Sequence, residues 1–368
     1  NILDSVALDS AEALREAIRA RRAGVAPTAA ALAADAAAAH DAPVADPLLF
    51  TMAPGRVILA GLFNFSLAAL AIFAGAAQQF DDFLPFDLYD IDAWMRGAEG
   101  LGVDQWLLAH RWLAVVGTVL MLLAAGFATG VVRSVLRDWD FRLMRTPTGL
   151  RRTRGLTTRT DVVIPRRRVS AAIMASGWIR RRFGWHDLRL QSLARDGDKE
   201  RDHLVVPFGQ LAEVDPVLAD LAMPRPAPDA PWTRAHGSEA LPGLLIALVP
   251  VAIATVAMAQ GFIWGALALI AVPFMMIGAL VGVRRHRWAL TDGLLYIERG
   301  FWTPRLILLP AASIQSADIR IGPVSRRFGM AKIAFGVPGG GSFSAHEIAG
   351  IAAADAIALR DALIPARG

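Results

Sequence analysis

The chain has 368 residues, 55% of them hydrophobic and only 19% charged, with a mean hydropathy of +0.42. A soluble domain is typically about 45–50% apolar and about 25% charged, so this composition excludes intrinsic disorder and argues against a wholly soluble enzyme. Basic residues, nearly all arginine, outnumber acidic ones by 38 to 33, and the absence of cysteine excludes a disulfide framework, a thiolate metal site and a cysteine nucleophile.

In chain order, Val6-Ala7-Leu8 reads as a short strand, and Asp9 or Ser10 as the cap of a helix running to about Arg22. So short a piece cannot bury its apolar face alone, and residues 1–24 are expected to be the closing strand and helix of a truncated domain. Residues 25–55 are Ala/Pro-rich without a periodic apolar face, which predicts a linker. Four stretches then stand out as apolar and uncharged: Val57–Ala77, Leu113–Val132, Leu241–Ala259 and Phe262–Val283. Each approaches or exceeds the ~20 residues that a helix needs to cross ~30 Å of hydrocarbon. They predict four transmembrane helices, arranged as one hairpin over 56–132 with an outer loop at 78–111 and a second over 241–283. The second must reverse at Gln260-Gly261, because one continuous helix would be about 60 Å long. Pro250 and Pro273 fall inside these spans and predict kinks.

Arginine placement sets the expected orientation. Segment 78–111 carries a net charge of −5, whereas segment 133–182 holds fourteen arginines and a net of +11, and the last span runs into Arg284-Arg285-His286-Arg287. The acidic loop is therefore expected outside, and residues 133–223 and 284–368 are expected as two cytoplasmic domains joined by a linker at 224–240 and the second hairpin.

Those two domains repeat one another. An offset of 145 aligns Arg142 with Arg287, Arg154-Gly155 with Arg299-Gly300, Pro165 with Pro310, Gly177 with Gly322, and Arg181-Arg182-Phe183-Gly184 with Arg326-Arg327-Phe328-Gly329. Each unit is thus a membrane hairpin followed by a soluble domain. Within the second unit, short apolar runs at 288–291, 294–299, 305–309, 314–319 and 331–335 predict strands, broken by Asp292-Gly293, Gly300, Pro310 and Gly322-Pro323. One helix from His346 to about Leu363 is expected to close the unit, matched by Gln210–Leu221 in the first.

Thr291, Leu295, Gly300, Leu309-Pro310, Ile314 and Arg326–Gly329, directly after a membrane hairpin, carry a resemblance. The chain resembles the bacterial pleckstrin-homology (PH) membrane proteins of the YdbS/YdbT type over nearly its whole length. The resemblance implies α+β PH-like domains, each a small antiparallel barrel with a C-terminal helix, held at the membrane surface.

Catalytic motifs do not emerge. His346-Glu347 lacks the second histidine of a zinc-protease helix, the seven histidines show no ligand spacing, and Gly336–Ser342 lacks the Lys-Ser/Thr of a phosphate-binding loop. No catalytic residue, metal site or cofactor is expected. The candidate site residues are Arg166, Arg167, Arg168, Arg180, Arg181, Arg182, Arg326 and Arg327, whose guanidinium groups suit lipid phosphates; the competing reading makes them flanks that fix topology. Nucleic acid is not an expected partner, since the domains lack an aromatic stacking platform. The expected role is a non-enzymatic platform in the bacterial inner membrane. Its partners would be anionic phospholipid, a second copy, or a smaller single-PH-domain membrane protein. The alternative is a component of a transport, export or envelope-protection complex.

Overall fold

A computed structural model of the chain describes residues 47–64, 111–192, 202–338 and 346–364. The expected strand and helix of residues 1–24, most of the linker and most of the first span and its outer loop lie outside the described residues.

The chain is first described at a strand where a linker was expected. β1 (Leu48–Thr51) pairs antiparallel with β2 (Arg142–Thr146). Phe50 and Met52 are buried in the core beside Phe141 and Leu143, so four apolar residues after Pro47 outweigh the polar composition around them. α1 (Pro54–Phe63) follows, with Pro54 at its first turn, where a missing N–H costs nothing. It packs on α2 (Arg111–Asp138). A Cβ on Gly61 would stand 2.5 Å from the Val131 backbone, and one on Gly130 would stand 2.5 Å from the Gly61 carbonyl, so these two glycines permit the close crossing.

The first unit continues through β3 (Gly149–Arg154), β4 (Thr160–Pro165), β5 (Val169–Ala175), the short α3 (Trp178–Arg182), β6 (His186–Ser192), β7 (Asp202–Gly209) and α4 (Leu211–Asp220). Gln210 and Glu213 cap α4 reciprocally, and its Val214, Val217 and Leu218 are buried in the core. Residues 224–240 connect the units but do not hang free. Within them β8 (Thr233–Arg234) joins a sheet, the Pro224 carbonyl accepts a hydrogen bond from the Tyr296 hydroxyl at 3.0 Å, and Trp232 lies under the Arg287 guanidinium at 4.3 Å.

Next come α5 (Ala240–Ile246) and α6 (Leu248–Ala259), a turn at Gln260-Gly261, a 3₁₀ stretch over Ile263–Ile270 and α7 (Ala271–Arg285). The break between α5 and α6 falls at Ala247, within one turn before Pro250, whose missing N–H leaves the Ile246 carbonyl without its helical donor. The change from 3₁₀ to α stands in the same relation to Pro273. Three helical stretches, Val119–Asp138, Gly237–Ala259 and Gly265–Arg285, are long and apolar enough to cross a membrane, and the rest of the chain buries at most 17% of each. Of the four expected spans, the first is described only as far as Asn64.

The second unit repeats the first as β9 (Arg287–Thr291), β10 (Leu294–Arg299), β11 (Arg305–Pro310), β12 (Ser316–Arg320), the short α8 (Pro323–Arg327), β13 (Met330–Gly336), β14 (His346–Ala352) and α9 (Ala353–Leu363). One expectation fails here: His346–Ala352 is a strand, not the first half of the closing helix. Its Ile348 and His346 pair with Ile333 and Phe335 of β13 and enter the core, while Gly350, at φ +67°, takes up a shift in register. The free edge of β13 overrides the helical spacing of the apolar residues over this stretch.

The units are not separate beads. The sheets run β1-β2-β3-β4, then β7-β6-β5-β11-β10-β9-β8, then β12-β13-β14. β5 of the first unit and β11 of the second pair antiparallel, with Ala175 opposite Arg305, Ile173 opposite Ile307 and Ala172 opposite Leu308. The middle sheet therefore belongs to both units. One of its faces places Leu294, Tyr296 and Leu308 in the first unit's core, and the other places Ala171 and Ile173 against the second unit's core. The described residues from Leu48 onward accordingly form one compact unit.

Candidate functional site

Each soluble unit meets its helices through a short connector, and in the first unit that meeting is charged. The last turns of α2 carry Arg133, Ser134, Arg137 and Asp138, with Arg133 and Arg137 four residues apart on one helix face. β6 brings Asp187 and Arg189 on alternate residues, and α3 adds Arg180. Together with Asn64 they line a cleft of about 460 Å³ between α1, α2 and the barrel wall.

The acids in this cleft are already engaged. Asp138 holds the Arg154 guanidinium at 3.3 Å, both side chains being almost fully buried. Asp187 is bonded by Arg180, which also donates to the Pro207 carbonyl at 3.2 Å and lies 5.0 Å from the centre of the Phe208 ring. Burial pushes the Asp187 carboxyl above its ordinary range, against the opposing pull of the Arg180 guanidinium. Among the described residues no carboxylate lies within ion-pair distance of Arg133 or Arg189. Two buried polar atoms in the cleft, the Ser134 hydroxyl and Arg180 Nε, have no hydrogen-bond partner among the described residues.

The second unit does not repeat this arrangement. At the 145-residue offset, Arg133, Ser134 and Arg137 become Gly278, Ala279 and Gly282, while Arg180, Asp187 and Arg189 become Ser325, Lys332 and Ala334. The arginines that flank the second hairpin, Arg284 and Arg285, sit at the very end of α7.

The three expected arginine clusters attach to different elements. Arg166–Arg168 form a 3₁₀ turn between β4 and β5, where Arg166 forks onto Asp220 of α4 at 2.7–3.1 Å and Arg167 stays exposed. Asp220 also takes Arg145, so Arg166 is committed to holding α4 against the strands. In α3, Arg180 is half-buried, whereas Arg181 and Arg182 are exposed among Trp178, Ile179 and Phe183. This tip leans on α1 through the Phe63 and Phe183 rings, 6.1 Å apart, and on the second unit through Trp178 N–H donating to the Trp302 carbonyl at 3.1 Å. Arg326 and Arg327 lie exposed on α8, beside exposed Val324 and Phe328. Arg133, Arg137 and Arg189 escaped the sequence reading because isolated arginines near a span look like topology flanks. The signal that marks them is the breakdown of the repeat in charge at those positions.

A smaller crevice of about 220 Å³ opens between the units, where Arg181 and Arg287 approach Glu298 at 4.0 and 2.6 Å. Glu298 is thereby shared between Arg287 of its own unit and Arg181 of the first. Deeper in the same junction, His346 Nε2 lies 2.6 Å from Gln191 Oε1, and burial pushes the imidazole pKa down to about 4. His286, at the end of α7, is likewise pushed to about 4 by burial.

Comparison with known proteins bears on the whole arrangement. No curated protein and no solved structure matches the chain. A family model described as "Bacterial PH domain" matches residues 105–223 and 244–367. That match concerns the domain family and does not distinguish the YdbS/YdbT type within it. The first matched segment takes in α2 and the strands and helix that follow it, the second takes in α6, α7 and the strands and helix that follow them, and on that double match the chain belongs to the bacterial PH domain family as a tandem of two such domains.

Proposed function

We propose that the chain is a multi-pass protein of the bacterial inner membrane whose two joined PH-like domains form a non-enzymatic platform at the cytoplasmic surface, engaging lipid headgroups or partner proteins. The observation that carries this reading is the apolar helical surface left uncovered. Leu120, Met121, Leu122, Ile253, Val256, Phe274 and Ile277 are 48–74% exposed on helices of spanning length. Fully burying an exposed side chain of this kind is worth about 1.5–3 kcal/mol, these stand to gain roughly half to three quarters of that, and a bilayer supplies the burial. The α3 tip adds to it, since Trp178, Ile179 and Phe183 beside Arg181 and Arg182 suit the boundary between acyl chains and anionic headgroups.

Because the chain contains no cysteine, single introduced cysteines report its placement without background. In sealed right-side-out vesicles, Glu99→Cys should react with a membrane-impermeant maleimide, whereas Arg167→Cys and Arg326→Cys should react only after the vesicles are opened or inverted. Release of the chain by alkaline carbonate, or the opposite labelling pattern, overturns the proposal.

A further inference from the structure

We propose that the cleft between α2 and the first barrel is a phosphate-binding site, built in the first unit and absent from the second, with Arg133, Arg137 and Arg189 as its ligands. The proposal rests on the membrane reading for the source of the phosphate, an anionic lipid headgroup, but not for the site itself.

Three independent observations converge on it. First, the cleft has more cations than it can neutralise: Asp138 holds Arg154 and is also approached by Arg137 at 3.9 Å, Asp187 holds Arg180, and Arg133 and Arg189 face no carboxylate at ion-pair distance among the described residues. Guanidinium groups offer paired donors that match phosphate oxygens.

Second, the Ser134 hydroxyl is buried, with the residue 3% exposed, and has no partner among the described residues although it lines the cleft. A helical hydroxyl ordinarily returns to the carbonyl four residues back. Thr129 in the same helix does so at 2.7 Å, as does Thr255 in α6 at 2.8 Å. A buried donor left open costs about 1–3 kcal/mol, and an acceptor oxygen in the cleft removes that cost.

Third, the repeat acts as an internal control. If these arginines served only to hold the helix end on the basic side, the second hairpin would keep them at the same level. It has Gly278, Ala279 and Gly282 there instead, and meets the topology rule with Arg284 and Arg285.

The decisive experiment uses the full chain in neutral detergent, with native mass spectrometry reading adducts of added dioleoylphosphatidic acid and, in a separate arm, of inorganic phosphate. The wild-type chain should hold one phosphatidic acid. Arg133→Ala with Arg137→Ala should weaken that adduct roughly thirtyfold, at about 1 kcal/mol for each arginine. Lysine at both positions should keep most of the binding, and Arg326→Ala with Arg327→Ala should leave it unchanged. Should the double alanine variant fail to fold, the lysine pair and Arg189→Gln carry the test, with Arg189→Gln expected to weaken the adduct. Retention of the lipid but not of inorganic phosphate identifies a headgroup site. Equal retention of both identifies a site for free phosphate. Equal binding in the wild-type and Arg133/Arg137 variants, or an equal loss in the Arg326/Arg327 variant, overturns the proposal. The membrane reading stands or falls separately on the cysteine labelling.

Discussion

The two units share a chain path and differ in what surrounds the same strands. β11 in the second unit is covered by β5, and its Ile307, Leu308 and Leu309 are buried. Its counterpart in the first unit, β4, ends a sheet among the described strands, with Val163 40% exposed where β11 has Leu308. At the other end β12, the counterpart of β5, presents Ser316, Asp318 and Arg320 outward, where β5 presents Ala171, Ile173 and Ala175. One repeat has therefore evolved two kinds of edge. The inner pair is apolar and permanently joined, and the outer pair carries charge, a common protection against uncontrolled strand pairing. The same division of labour appears at the helix ends, where the first unit holds the arginine cleft and the second has glycines.

The sharpest way to break this comparison is to place one charge at equivalent positions. Leu308→Asp puts an unpaired carboxylate into the fully buried junction and is expected to cost at least about 4 kcal/mol, separating the units or unfolding them. Val163→Asp, 145 residues earlier, should stay within about 0.5 kcal/mol. Thermal denaturation in detergent compares the two, and similar losses would contradict the distinction between inner and outer edges.

A smaller effect is expected with pH. The second unit has His286 where the first has the fully buried Phe141. Both His286 and His346 stay neutral in the folded chain, with pKa values near 4 against an ordinary 6.5. Below pH ~6.5 the unfolded chain takes up protons that the folded chain refuses, so their contribution is present at neutral pH and falls progressively towards pH ~4. Full titration amounts to roughly 3 kcal/mol for each histidine. Melting temperature against pH should drop over that window, and His286→Phe should flatten the drop; an unchanged slope would remove His286 from the account.

Much of the fold was legible in the sequence because its signals are local. The 145-residue repeat, the apolar stretches after residue 111, the strands at 287–310 and the capped helix after Gln210 follow from spacing and turn residues. What was not legible depended on partners distant in sequence. Leu48–Thr51 is a strand only because Arg142–Thr146 offers an edge, and His346–Ala352 only because Met330–Gly336 does. The β5–β11 junction joins residues 130 or more positions apart, on strands that each read as complete within their own unit. For the site, run-on arginines drew attention to Arg166–Arg168, yet Arg166 holds α4 against the strands through Asp220. The cleft arginines were scattered singly over α2 and β6 and became a group only in space.

The claim that the two units are one body sharing one sheet is open to a direct measurement. Ala175 and Arg305 lie directly opposite one another across the β5–β11 pair, where Cα separations of about 4.5–5.5 Å suit a disulfide. With no native cysteine to interfere, Ala175→Cys combined with Arg305→Cys should crosslink within a single chain under mild oxidation. The expected product migrates as a compact monomer and melts no lower than the reduced form. Failure to crosslink, or crosslinks found only between different chains, would contradict the shared sheet.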